Sequence, residues 1–541
     1  MNGRGYINNL PARKSTWLLL ALIVAANFAI RWHLRTMPLE RDEGEYAYAG
    51  QLLLQGVPPY QAAWNMKFPG TYFSYALLMA VFGQTAEGIH LGIILVTSLS
   101  ITFMFFIGRM LLSDLGGLMA AGLFGMMSAI PWTYGLAGHA THLVVLFVCA
   151  GSCALLRAEG KFSRMWLIFA GAAFGTAVLM KQHAAVFCVA AGAWLIWQKL
   201  KQKSRWFTPL ALFVAGVALP LVLTAAGLAL CGVWNRFTFW TIEYARQYVS
   251  ILAMSTVPKT FAERFGPIFF SAVWPWLLGL AALGLIFFKT QQRRAVVAGA
   301  GLFFAGLVAL CPGFYFRGHY FLMVMPGLAL LTATLLLKMA IWLKKFPRIP
   351  QLRFLPPCLF LVVVVELFLR NGTDWFLSSP DQVCREIYGN SPFPESPAIA
   401  AYLAANSSPT DTVAVLGSEP QIFFLAHRRS ATGYIYVYSL TEKHPLAGQM
   451  RSEFIREIES AQPRFVVYDN TLSSWCSVFT HGKSDRAMGE INTWWANYAQ
   501  NYEMAGKVDI YDDRPTEFYW DDNLANRTNT GLASVFILRR K

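Results

Sequence analysis

The feature that most limits what this chain can become is a succession of apolar runs, each close to the length that crosses a bilayer core of about 30 Å. Runs of this kind fall near 16–36, 88–108, 116–134, 141–157, 165–181, 184–198, 207–231, 267–288, 295–312, 320–342 and 354–370. A backbone in hydrocarbon must satisfy its own hydrogen bonds, so the runs are read as transmembrane helices. The fifth and sixth are nearly continuous and form either a tight hairpin or a partly re-entrant pair. Only 14% of the 541 residues are charged, against about 25% in an average soluble domain. The deficit sits in these runs. The first run lacks a small-residue cleavage site after it and is expected to be a retained anchor.

The chain carries a net charge of +15, but its lysines and arginines fall mostly in short loops between apolar runs. That distribution reports membrane topology and argues against a nucleic-acid partner. One side collects Arg4, Arg13, Lys14, Arg109, Arg157, Lys161, Arg164, Lys199, Lys201, Lys203, Arg205, Lys289, Arg293, Arg294, Lys338, Lys344, Lys345, Arg348 and Arg353. This side, with the N-terminus, is expected to be cytoplasmic. An odd number of spans then places residues 371–541 on the extracytoplasmic side. The loops 37–87 and 232–266 and the turns near 135–140, 181–183 and 313–319 share that side.

After residue 370 the composition becomes that of a soluble domain. Thr412–Leu416 and Arg464–Tyr468 read as short strands, and Ser396–Asn406 and Met450–Ser460 as the amphipathic helices before them. The expected architecture is mainly α: a polytopic transmembrane bundle of about eleven spans over 1–370, then a soluble α/β domain over 371–541. Of the eight cysteines, Cys384 and Cys476 lie in the polar C-terminal part and are candidates for pairing there. No Cys/His zinc spacing occurs.

The most informative polar stretch is Arg41-Asp42-Glu43-Gly44-Glu45-Tyr46, just beyond the first span. Asp42 followed by Glu45 resembles a helix-capping pattern, and Gly56 with Pro58 and Pro59 would end that helix. Against a purely structural role stands the company it keeps. Lys67 lies in the same loop, Lys181 in the turn between two spans, Arg317, His319 and Tyr320 in a later turn, and His139 and His142 in another. Positive charge should be sparse on this side. A carboxylate cluster facing a cationic cluster suits chemistry that handles a phosphate and a proton. Moving a sugar off a polyprenyl phosphate is such a reaction. It needs a base for the acceptor hydroxyl and cations for the leaving phosphate, whereas a general acid is dispensable.

The pattern resembles glycosyltransferase family 39, polytopic enzymes of the GT-C fold that include protein O-mannosyltransferases and aminoarabinose transferases of lipid A. Asp42-Glu43 matches the family's acidic pair. Lys67-Phe68-Pro69-Gly70-Thr71-Tyr72 resembles its Lys-Pro-Pro-Leu-Tyr-Tyr segment, with Phe68 and Gly70 as departures. Lys181 follows Val178-Leu179-Met180 as the family's lysine follows its fifth span, and Arg317 to Pro326 resembles the basic stretch opening a late span. Many GT-C enzymes carry a second acidic residue in the second extracytoplasmic loop. Here residues 131–143 contain none, and His139 and His142 stand there.

The resemblance implies an inverting transferase using a polyprenyl-phosphate-linked sugar, with a lipid, glycan or protein acceptor, in a bacterial inner membrane. Asp42 is the expected base, and Glu43 orients it or joins it in holding a divalent cation. Lys67, Lys181, Arg317 and His319 are expected at the donor phosphate, and His139, His142 and Tyr320 at the acceptor or phosphate. Two other readings remain open at this point: a transporter or flippase of a lipid-linked substrate, and a membrane scaffold. No internal repeat of the kind common in transporters is visible.

Overall fold

The computed structural model describes residues 13–159, 163–288, 290–345, 349–475, 485–526, 531 and 533–541. The expected loop charges Arg4, Lys161, Lys289 and Arg348 lie outside the described residues. So does Cys476, and with it the candidate pairing to Cys384, which is itself fully buried. The chain divides into two compact units, each assembled from separated stretches. The first comprises Met1–Arg35, His90–Ala225 and Leu252–Ser379; the second comprises Thr36–Ile89, Ala226–Ile251 and Pro380–Lys541.

Nine helices among the described residues are long and apolar enough to cross a membrane, from Lys14–His33 to Gln351–Phe376. A tenth span arises if the pair Met254–Phe270 and Val273–Phe287, bent by 105°, crosses as one. The shorter apolar helix Asp114–Met127 stands where the third span was expected. The protein is thus a multi-pass membrane protein, and each expected run finds a helix. Three runs differ in detail. The third stops at Met127, and its expected tail forms a tight turn over Pro131–Thr133, because proline has no N–H with which to continue the helical ladder. The eighth is broken at Ser271–Ala272. The tenth begins only at Met325, after a 3-10 stretch over Gly318–Met323.

Two devices in the first unit set the segments that carry candidate residues. Arg31, buried in the first span, donates from Nη1 to the Gly135 carbonyl at 2.6 Å and from Nη2 to that of Ser128 at 2.8 Å. A charge in this setting is tolerated because it satisfies carbonyls at a helix C-terminus, where positive charge is favourable. It thereby pins the turn leading to His139. Gly171 permits a close helix crossing, since a Cβ there would lie 2.1 Å from the Phe213 carbonyl oxygen. Small residues at such crossings let helices approach where hydrocarbon supplies no hydrophobic drive.

The second unit is built on a six-stranded mixed sheet among the described residues, ordered β2-β1-β3-β6-β4-β5. Its strands are β1 Thr412–Leu416, β2 Arg429–Ser430, β3 Phe465–Asp469, β4 Tyr502–Ile510, β5 Glu517–Trp520 and β6 Ala533–Arg540. β1 pairs in parallel with β2 and β3, and β6 then runs antiparallel between β3 and β4. Both expected strands are present, as β1 and β3, and both helices, as Ser396–Ala405 and Ala447–Ala461.

The helix Arg41–Leu54 belongs to this same unit. Gly44 faces the short helix Gln421–Ala426 so closely that a Cβ would sit 2.5 Å from the Gln421 amide nitrogen. Tyr48 Oη accepts from the Ser430 N–H at 2.8 Å. The segment 226–251 joins through Arg236, whose guanidinium meets Glu453 at 2.6 Å and stacks over Trp64. Within that segment Glu243 and Arg246 are exposed, whereas Tyr248 is buried.

Candidate active site

Helix Arg41–Leu54 starts with a capping box earlier in the chain than the Asp42–Glu45 pattern suggests, at Glu40 and Glu43. Glu40 is the N-cap, its side chain accepting from the Glu43 N–H, while the Glu43 side chain accepts from the Glu40 N–H. Glu43 is wholly buried in this cap. Its carboxylate satisfies one of the orphan donors of the first helical turn. Glu43 is thus engaged in the cap, whereas Asp42 is directed elsewhere.

Asp42 and Glu45 instead converge on Lys67. The Lys67 ammonium lies 2.7 Å from Asp42 Oδ1 and 2.9 Å from Glu45 Oε2. Glu45 also accepts from Asn65 Nδ2 at 2.7 Å and from Tyr72 Oη at 2.7 Å. Tyr436, far along the chain, donates its phenol proton to Asp42 Oδ1 at 3.1 Å. The Tyr46 ring packs under the ammonium, 4.6 Å from ring centre to Nζ. Lys67 is itself placed by Tyr60, whose hydroxyl donates to the Lys67 carbonyl at 2.6 Å.

The electrostatics follow from burial. Desolvation opposes the Lys67 ammonium, but Asp42 and Glu45 outweigh it and hold the amine well above its ordinary range. Glu45 is pushed up, first by burial and further by Asp42, with Lys67 opposing. One ammonium thus serves two carboxylates, and the more deeply buried one resists ionisation. Because folding raises the Glu45 pKa, the folded state binds this proton more tightly than the unfolded chain. Its contribution to stability is complete below the ordinary carboxylate value of 4.5 and falls as pH rises through the raised value. Thermal unfolding of wild type and Glu45→Gln at several pH values from 4 upward checks this. The stability of wild type relative to the variant should fall with rising pH by at most about 1.4 kcal/mol per pH unit, and then level off. A difference constant over that range would contradict it.

Beside Asp42, Arg41 points into the sheet. Its guanidinium donates to the Ser418 carbonyl, to Tyr438 Oη at 2.9 Å and to the Glu419 carboxylate. The stretch Leu416-Gly417-Ser418-Glu419-Pro420 at the end of β1 is occupied by this clamp. His427 bonds Gln51 at 2.9 Å, and Arg428 satisfies backbone carbonyls of residues 404, 407, 426 and 427.

In the first unit the structure lines up four candidates. Lys181 Nζ lies 4.5 Å from the Tyr320 ring centre, the His319 and Tyr320 rings meet edge-on at 4.6 Å, and His319 stacks on His139 at 4.1 Å with planes 11° apart. All four are buried. Lys181 holds the extended break between two spans, and Gly318 is required beside them because a Cβ would meet the Trp132 carbonyl at 2.4 Å. Arg317 lies over the Tyr315 ring at 5.6 Å. His142 stands apart from this row, its Nε2 bonding the Gly135 carbonyl at 3.0 Å.

Comparison with known proteins follows the same lines. A family model described as dolichyl-phosphate-mannose-protein mannosyltransferase matches residues 67–227. The chain is 30% identical over 294 residues to undecaprenyl phosphate-alpha-4-amino-4-deoxy-L-arabinose arabinosyl transferase 2 of Pseudomonas fluorescens (strain Pf0-1). That match covers 51% of this chain and 50% of the relative, so the chain spans about half the length of the curated relative it matches. ArnT from Cupriavidus metallidurans, solved with undecaprenyl phosphate, superposes with a TM-score of 0.59 at 17% identity, over 97% of this chain and 98% of that one. The chain has the GT-C fold, and it is similar in sequence to proteins of the family 39 type. Archaeal oligosaccharyltransferase AglB from Archaeoglobus fulgidus, solved with an inhibitory peptide and a dolichol-phosphate, shares the GT-C fold more distantly. Its TM-score is 0.53 at 12% identity, over 96% of this chain and 75% of that one.

The stretch matched by the family model opens at Lys67, the residue that bridges Asp42 and Glu45. Tyr72, five residues on, falls in the motif and supplies the hydroxyl on Glu45. Sequence reasoning named Asp42 and Lys67 but took Glu45 for part of a cap and overlooked Asn65, Tyr72 and Tyr436. The aromatic end of the Lys67–Tyr72 motif could have pointed to Tyr72. Nothing local marks Tyr436.

Proposed function

We propose that this chain is a membrane glycosyltransferase that moves a sugar from a polyprenyl-phosphate donor to an acceptor hydroxyl, with inversion. The observation that carries the reading is the Lys67 ammonium bridging Asp42, in the first turn of helix Arg41–Leu54, and Glu45 just after it. A carboxylate beside a lysine and a helix N-terminus is placed to accept one proton. As the acceptor oxygen bonds to the anomeric carbon, its proton passes to Asp42. The bond from that carbon to the phosphate oxygen breaks, and its electron pair leaves on the polyprenyl phosphate.

Lys181, Arg317 and His319 neutralise the departing phosphate in this proposal, as Lys67 does, since two of its three N–H bonds already serve carboxylates. His139, His142 and Tyr320 contact phosphate or acceptor. Glu43 acts through the cap that orients the turn bearing Asp42. The undecaprenyl phosphate and dolichol-phosphate found with the structural relatives support the donor class. A lipid, glycan or protein acceptor fits the reading. The basic loops support a bacterial inner membrane setting with a cytoplasmic N-terminus, and an odd number of spans would put residues 371–541 on the extracytoplasmic side.

Proteoliposomes loaded with polyprenyl-phosphate sugar test the function. Cleaved donor and free polyprenyl phosphate are expected; intact donor crossing between leaflets without cleavage would make the chain a flippase. In the same assay Lys181→Ala and Arg317→Ala should each lower kcat/KM by about 10²–10³-fold, the scale of losing one preorganised charge at a transition state. Membrane insertion and helical content should be unchanged. Donor binding and turnover near wild type in both variants would show that the phosphate roles belong elsewhere.

A further inference from the structure

The proton acceptor of the proposed reaction is held by a residue far from every motif the family suggests. Arg41 and Asp42 are consecutive in the first turn of their helix, and they are met by two tyrosines spaced two residues apart in the segment between β2 and helix Ala447–Ala461. Tyr438 Oη accepts from Arg41 Nη1 at 2.9 Å, and Tyr436 Oη donates to Asp42 Oδ1 at 3.1 Å. The two rings contact each other edge-on, with centres 4.9 Å apart. Tyr436 also lies over the ammonium that pairs with Asp42, its ring centre 5.7 Å from Lys67 Nζ.

The segment is fixed on both sides of Tyr436. The Trp64 N–H donates to the Gly433 carbonyl at 2.8 Å, and a Cβ on Gly433 would strike the Trp64 ring at 2.4 Å. Tyr434 Oη donates to Glu453 at 2.6 Å, the Val437 N–H donates to Ser418 Oγ at 3.0 Å, and Tyr438 Oη donates to the Ser473 carbonyl at 2.7 Å. A side chain whose backbone is so determined delivers its hydroxyl to one place. Burial and the neighbouring Asp42 push the Tyr436 phenol well above its ordinary range, so it carries its proton, and donates, at every working pH.

We infer that Tyr436 is a positioning residue for Asp42: it and Lys67 both donate to Oδ1, fixing the plane of the carboxylate and favouring its ionised form. This deepens the proposed transferase reading and rests on it for its catalytic meaning. The C-terminal part of the chain then completes the site and is more than an appendage beside it. The hydroxyl is the operative group, because a hydrogen bond to the charged form of an acid stabilises that form, whereas the ring alone only packs.

Tyr436→Phe keeps the ring over Lys67 and removes only the hydroxyl. In the full-length protein it should lower kcat by about 10- to 100-fold with the donor KM little changed, in keeping with the need for close orientation of reacting groups. The acid limb of the kcat/KM profile should move to higher pH by on the order of one unit, because the carboxylate loses a donor to its charged form. Tyr434→Phe, which loses a hydroxyl bond from the same segment but none to Asp42, should keep the wild-type acid limb.

A second readout needs no turnover. The Asp42 carboxylate band, isolated as the infrared difference between wild type and Asp42→Asn, should titrate at higher pH when both members of the pair carry Tyr436→Phe. If that titration and the acid limb both stay in place, the positioning role is wrong, whatever the enzyme does. If wild type leaves the donor intact while the infrared titration moves, Tyr436 governs Asp42 and the transferase reading is what fails.

Discussion

Asp42→Asn is expected to insert and fold as wild type does while kcat for donor consumption falls by about 10²–10⁴-fold, the usual contribution of a positioned general base. Asparagine nearly matches aspartate in shape and can still present an oxygen to Lys67 and Tyr436, so the cluster keeps its packing. What it loses is the capacity to take a proton. The donor KM should stay level or fall, because replacing Asp42 removes a negative charge that opposes an incoming phosphate. Initial rates across a range of donor concentrations separate the two parameters. A loss confined to KM would mean that Asp42 binds rather than reacts.

The second large effect concerns stability. Arg41→Ala should destabilise the protein by about 3–5 kcal/mol, because it strands a buried carboxylate rather than merely deleting a contact. Glu419 is fully buried against the Arg41 guanidinium, and the Ser418 carbonyl and Tyr438 hydroxyl share that cation. Asp469, also fully buried, is pushed up by burial and next by the Glu419 charge, so the nearby acid adds to the unpaired negative charge and cannot relieve it. Thermal unfolding in detergent should register a fall in midpoint on the order of 10 °C. Adding Glu419→Gln to Arg41→Ala should recover much of the loss, since the stranded charge then disappears. Equal midpoints for wild type and Arg41→Ala would show that Glu419 has another counter-ion.

The membrane part was legible because its signal is one of length and composition: an apolar run long enough to span can hardly be anything else. The misplaced details all lie where a proline, a bend or a 3-10 turn interrupts an apolar run without altering its hydropathy. Pro131, the break at Ser271–Ala272 and the turn Gly318–Met323 are of this kind. The strands β4 and β6 were missed for a different reason. Gly506 and Lys507 interrupt the alternation of β4, and β6 ends in Arg539-Arg540, so neither displays a clean period of two.

At the site, charge made the difference. Asp42, Lys67 and Lys181 stood out because ionisable groups are costly beside a membrane and few occur on that side. Glu45 was visible as a residue but was taken for part of a cap, because three closely spaced carboxylates offer several capping registers; Glu40, just outside the stretch considered, supplies the cap. Tyr436 lies 394 positions from Asp42 and is one of 21 tyrosines. Its role comes from the grouping of Thr36–Ile89 with Pro380–Lys541 in one compact unit, a long-range packing that no local pattern encodes.

The most direct measurement is the release of free polyprenyl phosphate by the purified full-length chain from a labelled polyprenyl-phosphate sugar, with Asp42→Asn run in parallel. Steady release by wild type, with the variant slower by two orders of magnitude or more, is the expected result. Intact donor after incubation with wild type, or equal release by the two proteins, would contradict the assignment of Asp42 as the proton acceptor of a sugar transfer.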